Sequence, residues 1–542
     1  MSEGREQPAT DGAMAVAEKA KHCAPGKVLE VDGAGLSLKD LQLFIEDETT
    51  VVRVTDGSLK ATDVSRSFLE REMRDKIIYG VNTGFGPMAS HIINHDELAR
   101  LQKNLILSHA VGMGTPVDWR FVAAAMLVRL NTLAKGFSAV SPALLERLQI
   151  FINRRILPVI PEHGAVGTSG DLVQLAHIGL ALLGEGDVWY RKALRPAREV
   201  LEELGFRPYE LKPKEGLSLI NGTSFMAGVG AMVSIRAERL LNIAVRLGAL
   251  SLEITQGFDD YIAKRLNDLR PHDGQRFIAK QLRILLESSR LIRKRDELPR
   301  LVNGAGPPYT VQDEVQSVYS LRCIPQIVGP VADTLKRTKI IVEIEMNSVT
   351  DNPIVDSAGG VVLHGGNFHG DVVAGALDDL KARLVKLILL SERRINFFLH
   401  RGINKRFPPF LNLRQPGLTL GLQGLQFVAT STAAQSQTLA FPQSVHSIPT
   451  NADNQDVVSM GADAALLTAK VIENAFVVLA IEAIVLAQAV EAEGVADKLS
   501  LSSSQIFEEI QKVFPPVYED RDLSKDLPAV VELLEAGECF TP

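Results

Sequence analysis

Three glycines surround a single serine in the segment HGAVGTSGD at positions 163–171. Glycine loses more conformational freedom on folding than other residues, so this pattern indicates a backbone that needs unusual dihedral angles. A tight loop that caps the next helix through Asp171 would also fit. A phosphate-binding loop needs a lysine beside its last serine or threonine, and a serine-hydrolase turn needs glycine at position 171. Neither condition is met, so nucleotide-binding and serine-hydrolase chemistry are not expected here.

Within this segment, Thr168, Ser169 and Gly170 resemble the electrophile loop of the histidine, phenylalanine and tyrosine ammonia-lyases and the related aminomutases. In that family a small residue, a serine and a glycine cyclise and lose two waters. The product, 4-methylideneimidazol-5-one, needs no dissociable cofactor. Glycine suits the last position because its nitrogen must attack the carbonyl two residues back without hindrance. The family usually has alanine first, and Thr168 departs from that pattern but keeps the ring-forming carbonyl.

Six further segments between Ile78 and Met460 match the same family in the same order. Tyr79, in the segment IYGVNTGFG, resembles the lid tyrosine that removes a β-proton from the substrate. An ordinary tyrosine has a pKa near 10 and is a poor base at neutral pH, so the site must stabilise the phenolate. Arg322 resembles the arginine that binds the substrate carboxylate, a task that suits its paired donors. A packed turn tyrosine and a surface arginine are the alternatives.

The resemblance implies a role for residues in each of these segments. The predicted catalytic residues are Tyr79, Thr168, Ser169, Gly170, Asn221 and Tyr319. The predicted substrate-binding residues are Ser108, His109, Gln316, Arg322, Asn352, Phe368, Asn454 and Gln455. Asn221 is expected to hydrogen-bond the electrophile and the substrate amine, and Thr223 or Ser224 could instead cap a helix there. His364 and His369 do not have the spacing of metal ligands, so no metal is expected.

Two positions bear on the side chain that the site accepts. Ser108 and His109 resemble the pair found in histidine-selective and some tyrosine-acting relatives, and His109 could bind a phenol hydroxyl or be satisfied by a neighbour. Gln455 stands where histidine ammonia-lyases have a glutamate that can pair with imidazole. This amide, with the segment LRPHDGQ at 269–275 that resembles bacterial phenylalanine and tyrosine ammonia-lyases, favours phenylalanine or tyrosine as substrate.

The predicted activity is therefore elimination of ammonia from L-phenylalanine or L-tyrosine to give cinnamate or p-coumarate. A tyrosine or phenylalanine 2,3-aminomutase is the next alternative, because it uses the same residues. Histidine ammonia-lyase ranks below it, and a catalytically inactive helical scaffold ranks last.

Stretches with helical periodicity separate these segments. Helices are predicted over residues 38–46, 97–130, 142–153, 225–295, 310–350, 369–400, 417–440 and 460–493, and a strand over VVRV at 51–54. Several are long and almost wholly apolar, which is typical of helices covered on every side in a bundle. The predicted fold is mainly α. The resemblance implies the long-helix bundle of the ammonia-lyase (fumarase/aspartase-like) superfamily, with a small mixed N-terminal region.

The expected organisation has four parts. They are a disordered tail at 1–25, an N-terminal domain with the lid and the electrophile loop at 26–225, a helical bundle at 226–495 and a C-terminal helical tail at 496–542. The resemblance also implies a homotetramer in which each site collects residues from three chains.

The composition limits the partners and the location. The chain has 58 lysines and arginines against 65 acidic residues, a net charge of −7, which gives no electrostatic support for a nucleic-acid partner. Three distant cysteines indicate neither a disulfide framework nor a metal site, and a reducing cytoplasm fits them. The polar start lacks a secretion signal. The apolar stretch 475–490 is shorter than the roughly 20 residues of a membrane span, so it is predicted to be a buried core helix.

Overall fold

The computed structural model describes residues 26–298 and 315–540. The predicted tail at 1–25 and the first part of the helix predicted at 310–350 lie outside the described residues. In the described part the fold is mainly α-helical, with a few small sheets, as the sequence predicts. The predicted division into an N-terminal domain, a bundle and a C-terminal tail stays a prediction.

The longest helices pack side by side into what we call the central bundle. Its helices are Ser224–Ile254, Ile324–Met346, Asp371–Leu399, Gln423–Leu439 and Gly461–Glu493. The helix Gly461–Glu493 is long and apolar enough to cross a membrane, but 83% of its most apolar stretch is buried inside the fold. The predicted buried helix over 475–490 is thus confirmed. Its Glu482 is fully buried and accepts a hydrogen bond from Arg394 Nη2 at 3.0 Å, so the charge is paired inside the bundle.

Shorter helices precede and follow the central bundle. Those before it are Leu38–Glu46, Asp56–Glu72, Leu98–His109, Trp119–Ala134, Pro142–Asn153, Leu172–Leu182, Ala197–Glu203 and Glu215–Ile220. Those between or after its helices are Lys264–Asp268, Asp273–Leu285, Tyr319–Arg322, Arg401–Asn404, Leu501–Val513 and Asp526–Ala536. Single tight turns of helix lie at Gly86–Met88, His95–Glu97, Asp259–Ile262, Arg295–Glu297, Pro409–Leu411, Ala496–Lys498 and Glu538–Phe540.

The strands form small separate sheets. Val28–Val31 pairs in parallel with Val51–Val54, which confirms the predicted strand, and Met113–Pro116 pairs antiparallel with Pro161–His163. A three-stranded antiparallel sheet contains Leu157–Pro158, Asp187–Tyr190 and Ala193–Pro196, and a hairpin contains Ile354–Asp356 and Val361–Leu363. The helices form most of the core, and the sheets add buried residues such as Val52 and Val188 to it.

Local signals set several helix ends. Ser37 accepts a hydrogen bond from Asp40 N while the Asp40 carboxylate accepts one from Ser37 N, so the predicted helix Leu38–Glu46 begins with a complete capping box. The helix predicted over 97–130 is instead two helices. The strand Met113–Pro116 interrupts it, because its glycine and proline favour extended backbone and Pro161–His163 provides a pairing partner.

Candidate active site

A cleft of about 960 Å³ lies beside the electrophile loop and gathers residues that are far apart in the sequence. The predicted site residues that line it are Tyr79, Ser108, His109, Thr168, Ser169, Asn221, Asn352, Phe368, Asn454 and Gln455. Loops and helix ends carry most of these side chains, whereas the helices that they connect are buried. The helical scaffold thus fixes the positions of a polar cleft.

The electrophile loop is held against a turn at Asn221 and Gly222, which joins the helices Glu215–Ile220 and Ser224–Ile254. Asn221 Nδ2 donates to the carbonyl oxygen of Ser169 at 2.8 Å, and Gly222 N donates to the same oxygen at 3.2 Å. Gly222 O accepts from Asp171 N at 2.8 Å. The turn therefore holds both sides of the peptide segment that contains Gly170.

Gly170 has no room for a side chain. Its φ is +77°, and a Cβ added to it would lie 2.0 Å from the carbonyl oxygen of Gly222. Both facts demand glycine, since other residues rarely adopt this φ and a backbone atom cannot move aside. This is the residue whose nitrogen must be unhindered for ring closure with Thr168, so the loop fits the predicted electrophile.

A second polar loop, from Thr450 to Asp456, faces the electrophile. Gln455 Nε2 donates to Ser169 Oγ at 3.1 Å, and Thr450 Oγ1 donates to Gln455 Oε1 at 3.0 Å. Because the carboxamide oxygen is engaged by Thr450, the amide is oriented with its nitrogen toward Ser169. One N–H of that nitrogen remains for a substrate.

Asp171 does not cap the helix that follows it. Its Oδ2 accepts a hydrogen bond from Met226 N at 2.8 Å, so it caps the bundle helix Ser224–Ile254 instead. Thr223 donates its hydroxyl to Glu345 and makes no cap of its own. Burial raises the pKa of Asp171 from 3.8 to about 7, and burial also raises the pKa of Glu345. Burial therefore raises the pKa of two carboxyl groups that lie close to the electrophile loop.

Tyr79 lies on the lid segment at the edge of the cleft. Its hydroxyl oxygen accepts a hydrogen bond from Gly86 N at 3.0 Å, and its backbone N–H donates to His364 Nε2 at 3.4 Å. Its ring meets Phe85 edge to face, with 6.5 Å between the centroids. A backbone N–H aimed at the phenol oxygen is the kind of contact that stabilises a phenolate.

His109 is held in one orientation by its own helix. Its Nδ1 lies 2.9 Å from the carbonyl oxygen of Leu105, to which it donates, and 3.0 Å from Ser108 Oγ. A neutral imidazole that donates from Nδ1 keeps a lone pair on Nε2. His109 can therefore accept a hydrogen bond from a substrate in the cleft.

Asn352 is tied to the same turn as the electrophile. Its backbone N–H donates to Asn221 Oδ1 at 2.6 Å, and its side-chain oxygen accepts from Gly365 N at 2.8 Å. Asn221 therefore links Ser169 to Asn352. A substitution at any of the three residues is expected to change the positions of the other two.

Four predicted residues do not line this cleft in one chain: Gly170, which packs against Gly222, and Gln316, Tyr319 and Arg322. Tyr319 is 67% exposed at the start of a short helix, and the guanidinium of Arg322 lies over its ring at 4.5 Å. Among the described residues that line the cleft there is no arginine or lysine. The structure of one chain thus brings the predicted base Tyr79 and the electrophile loop together, but not the predicted carboxylate-binding arginine.

Sequence reasoning missed Gly222 and the buried Arg129. Arg129 lies in the helix Trp119–Ala134, where nearly every other residue is apolar and buried, and it donates to the turn that contains Asn221. A single charged side chain inside so apolar a helix is a signal that could have found it. In the part of the chain that the structure describes, no group of three His, Cys, Asp or Glu side chains could hold a metal ion.

The sequence model of the aromatic amino acid lyase family matches residues 36–512. The chain belongs to this family. Its electrophile, 4-methylideneimidazol-5-one, forms autocatalytically from the three residues at 168–170, as predicted. The hydrogen bonds and the close approach described above are those that such a ring would need.

Individual members of the aromatic amino acid lyase family are similar over nearly the whole chain. A histidine ammonia-lyase of Geobacillus thermodenitrificans (strain NG80-2) is 40% identical over 504 residues, which cover 93% of this chain and 96% of that protein. The crystal structure of a tyrosine aminomutase from Streptomyces globisporus is 37% identical, with a TM-score of 0.90, covering 94% of this chain and 97% of that one. A histidine ammonia-lyase structure from Trypanosoma cruzi is 31% identical, with a TM-score of 0.85, covering 95% of this chain.

These relatives correct the predicted substrate. The prediction of a phenylalanine or tyrosine ammonia-lyase is wrong, because the curated relatives at about 40% identity over nearly the full length are histidine ammonia-lyases. What holds is the coarser statement, a carbon–nitrogen lyase of the aromatic amino acid lyase family. The missing charge at Gln455 does not exclude histidine as substrate, because an amide can still hydrogen-bond a neutral imidazole.

Proposed function

We propose that this chain is a histidine ammonia-lyase, which eliminates ammonia from L-histidine to leave urocanate. The observation that carries the proposal is the hydrogen bond from His109 Nδ1 to Leu105 O at 2.9 Å. It leaves Nε2 as an acceptor for the N–H of a substrate imidazole. The names of the curated relatives support the same substrate.

The other end of the imidazole would meet Gln455. The amide nitrogen already donates to Ser169 Oγ, and its second N–H can donate to the imidazole nitrogen that carries the lone pair. His109 and Gln455 then bind the two ring nitrogens of a neutral imidazole, one as acceptor and one as donor. A glutamate would pair with an imidazolium, so this site is expected to select the uncharged substrate side chain.

Elimination would need a base and an activated leaving group. The electrophile, once formed, would supply an electrophilic carbon to which the substrate can add, which makes the amino group a better leaving group. Tyr79 takes the β-proton as phenolate, and the N–H of Gly86 stabilises the charge on its oxygen. Asn221 and Gly222 hold the Ser169 carbonyl, so the reacting segment stays fixed while the proton moves.

The substrate carboxylate requires a cation that one chain does not place in the cleft. We propose that neighbouring copies in a homotetramer supply Arg322, together with Tyr319 and Gln316. Arg322 Nε is buried without a hydrogen-bond partner in one chain, which agrees with a donor that is completed elsewhere.

Mixed oligomers test this sharing. Tyr79→Phe and Arg322→Ala chains carrying different tags should each be inactive alone. Purified hybrids should regain part of the wild-type rate, because some sites combine an intact Tyr79 with an intact Arg322. Hybrids without activity would contradict shared sites, and light scattering would report the oligomeric state of each sample.

A second candidate is a tyrosine 2,3-aminomutase, in which the released ammonia is added back at the β-carbon. Two observations favour it: the neutral Gln455, and the name and TM-score of the Streptomyces globisporus structure. The lone pair of His109 would then accept a phenol hydroxyl instead of an imidazole N–H.

The purified protein should be incubated separately with L-histidine, L-tyrosine and L-phenylalanine. Ultraviolet absorbance detects arylacrylates and urocanate, and chromatography detects β-amino acids. Urocanate formation, absent in a Ser169→Ala variant, would support the main proposal. Formation of β-tyrosine without urocanate would favour the second candidate. Absence of turnover with histidine, or cinnamate as the main product, would overturn the main proposal.

A further inference from the structure

A fully buried guanidinium lies on the far side of the turn that holds the electrophile. Arg129 belongs to the helix Trp119–Ala134 and is 0% exposed. Burial lowers its pKa to about 10, and the negative charge of Asp351 is the main opposing influence. It therefore keeps its positive charge at neutral pH. Burying a charge costs free energy. The groups that accept hydrogen bonds from Arg129 therefore indicate which part of the fold it stabilises.

The two terminal nitrogens of Arg129 donate to one short segment. Nη2 donates to the carbonyl oxygens of Ser218 and, at 2.8 Å, of Asn221, and Nη1 lies 3.4 Å from Ser224 Oγ. The contact with the segment is close, because a Cβ added to Gly222 would lie 2.5 Å from Nη1. The guanidinium thus contacts the turn from one side along its whole length.

The opposite side of the same turn faces the electrophile. Asn221 Nδ2 and Gly222 N both donate to the carbonyl oxygen of Ser169, at 2.8 and 3.2 Å. A donor pair of this kind works only while its geometry is fixed, since hydrogen bonds weaken steeply when their angle or length changes. Arg129 donates to the carbonyl oxygen of Asn221, which belongs to the same peptide as the Gly222 N–H.

We propose that Arg129 is a positioning residue for the electrophile, which keeps the N–H donors of Asn221 and Gly222 aimed at the Ser169 carbonyl. In the finished ring that carbonyl is conjugated with the methylidene group. Donors on its oxygen withdraw electron density and make the methylidene carbon more reactive toward nucleophiles. The positive charge of the guanidinium, transmitted through the peptide of Asn221, acts in the same direction.

Ring formation itself gives a chemical readout. One σ bond forms, from Gly170 N to the carbonyl carbon of Thr168, and the two losses of water leave a C=N double bond to Ser169 N and the methylidene C=C double bond. One water carries away the Thr168 oxygen with the amide hydrogens of Ser169 and Gly170, and the other carries the hydroxyl and the α-hydrogen of Ser169. Intact-protein mass therefore reports how much of the chain has lost two waters. Addition of a small thiol to the methylidene carbon, with its proton passing to the ring, reports reactivity as added mass.

The test compares the whole enzyme with Arg129→Met and Arg129→Lys variants. Ser224→Ala is the matched control, because it removes only the 3.4 Å contact. We expect Arg129→Met to lower the ring content, or to slow thiol capture per ring by roughly tenfold, a smaller effect than direct loss of an oxyanion-type donor. Arg129→Lys keeps the charge but cannot reach both carbonyls, so it should fall between the wild type and Arg129→Met. Ser224→Ala should match the wild type.

A merely structural role predicts a different pattern. An Arg129→Met protein with the wild-type circular dichroism and oligomeric state, full loss of two waters and the wild-type thiol rate would overturn the proposal. Should Arg129→Met fail to fold, Arg129→Lys decides, and a wild-type thiol rate in that variant overturns it equally. Neither readout uses an amino acid substrate. Failure of the histidine proposal would therefore leave this result unchanged.

Discussion

Replacing Asp171 with asparagine should change how the stability of the protein depends on pH. Asp171 is fully buried, accepts a hydrogen bond from Met226 N and has a pKa raised from 3.8 to about 7, chiefly by burial. The folded state therefore binds a proton more tightly than the unfolded chain. The resulting stabilisation is complete below about pH 4 and is lost as the pH rises through about 7.

The magnitude follows from the difference between the two pKa values. Between about pH 5 and pH 8 the wild type should lose about 2.5 kcal/mol of stability from this group alone. For a chain of 542 residues this corresponds to roughly 2 °C in the midpoint of thermal unfolding. Asparagine is neutral at every pH and its oxygen can still accept from Met226 N, so the variant should lack this loss.

Thermal unfolding of both proteins should be followed from pH 5 to pH 8 at one scan rate and one protein concentration. The difference between their midpoints should shift in favour of Asp171→Asn as the pH rises. Asp118→Asn is a control without a slope in this range: burial opposes the shift there, but the hydrogen bonds and charge of Arg120 lower the pKa of Asp118 below 3.8. Its contribution is lost only below about pH 4, so its difference from the wild type should stay constant from pH 5 to pH 8. Parallel curves for the wild type and Asp171→Asn would refute a buried, proton-binding carboxyl at this position.

Three further changes probe the cleft and its support. Asn221→Ala removes a donor from the Ser169 carbonyl and should lower kcat by about 10²–10³-fold with little change in KM; a rise in KM alone would contradict this role. Gln455→Glu should improve binding of histidine below about pH 6.5, where imidazolium forms, and a pH profile of KM identical to that of the wild type would argue against contact with the imidazole. Lys214→Met leaves Asp351 buried without its ion-pair partner at 2.8 Å and should destabilise the protein by about 3–5 kcal/mol, whereas adding Asp351→Asn should restore most of the loss; denaturant unfolding measures both variants.

Interactions between residues that are close together in the sequence were enough to predict several helices and the electrophile loop. The capping box at Ser37, the long apolar helices and the glycine-rich electrophile loop depend on residues close together in the chain. Such short-range interactions are visible in the sequence as helical periodicity and as turn residues. The resemblance of separate segments then predicted which of them supply the cleft, and most of the predicted residues do line it.

The substrate could not be decided in the same way. The neutral charge of Gln455 favours phenylalanine or tyrosine as substrate, and the histidine-lyase relatives over nearly the full chain contradict that expectation. The lone pair that His109 offers depends on its bond to Leu105, which only the folded helix displays. A hydrogen-bonding preference is a property of a side chain in its surroundings and not of the residue type.

What the sequence determined by itself is the chemistry of the loop at 168–170 and the helical character of the scaffold. Tertiary structure alone decided that Asp171 caps a different helix, that Arg129 lies beneath the turn at Asn221, and that Arg322 lies outside the cleft of its own chain. The first two contacts join residues that lie 55 and 92 positions apart in the sequence. Their partners are selected by how the buried helices pack, and no periodicity in one segment encodes which carbonyl a distant guanidinium will meet.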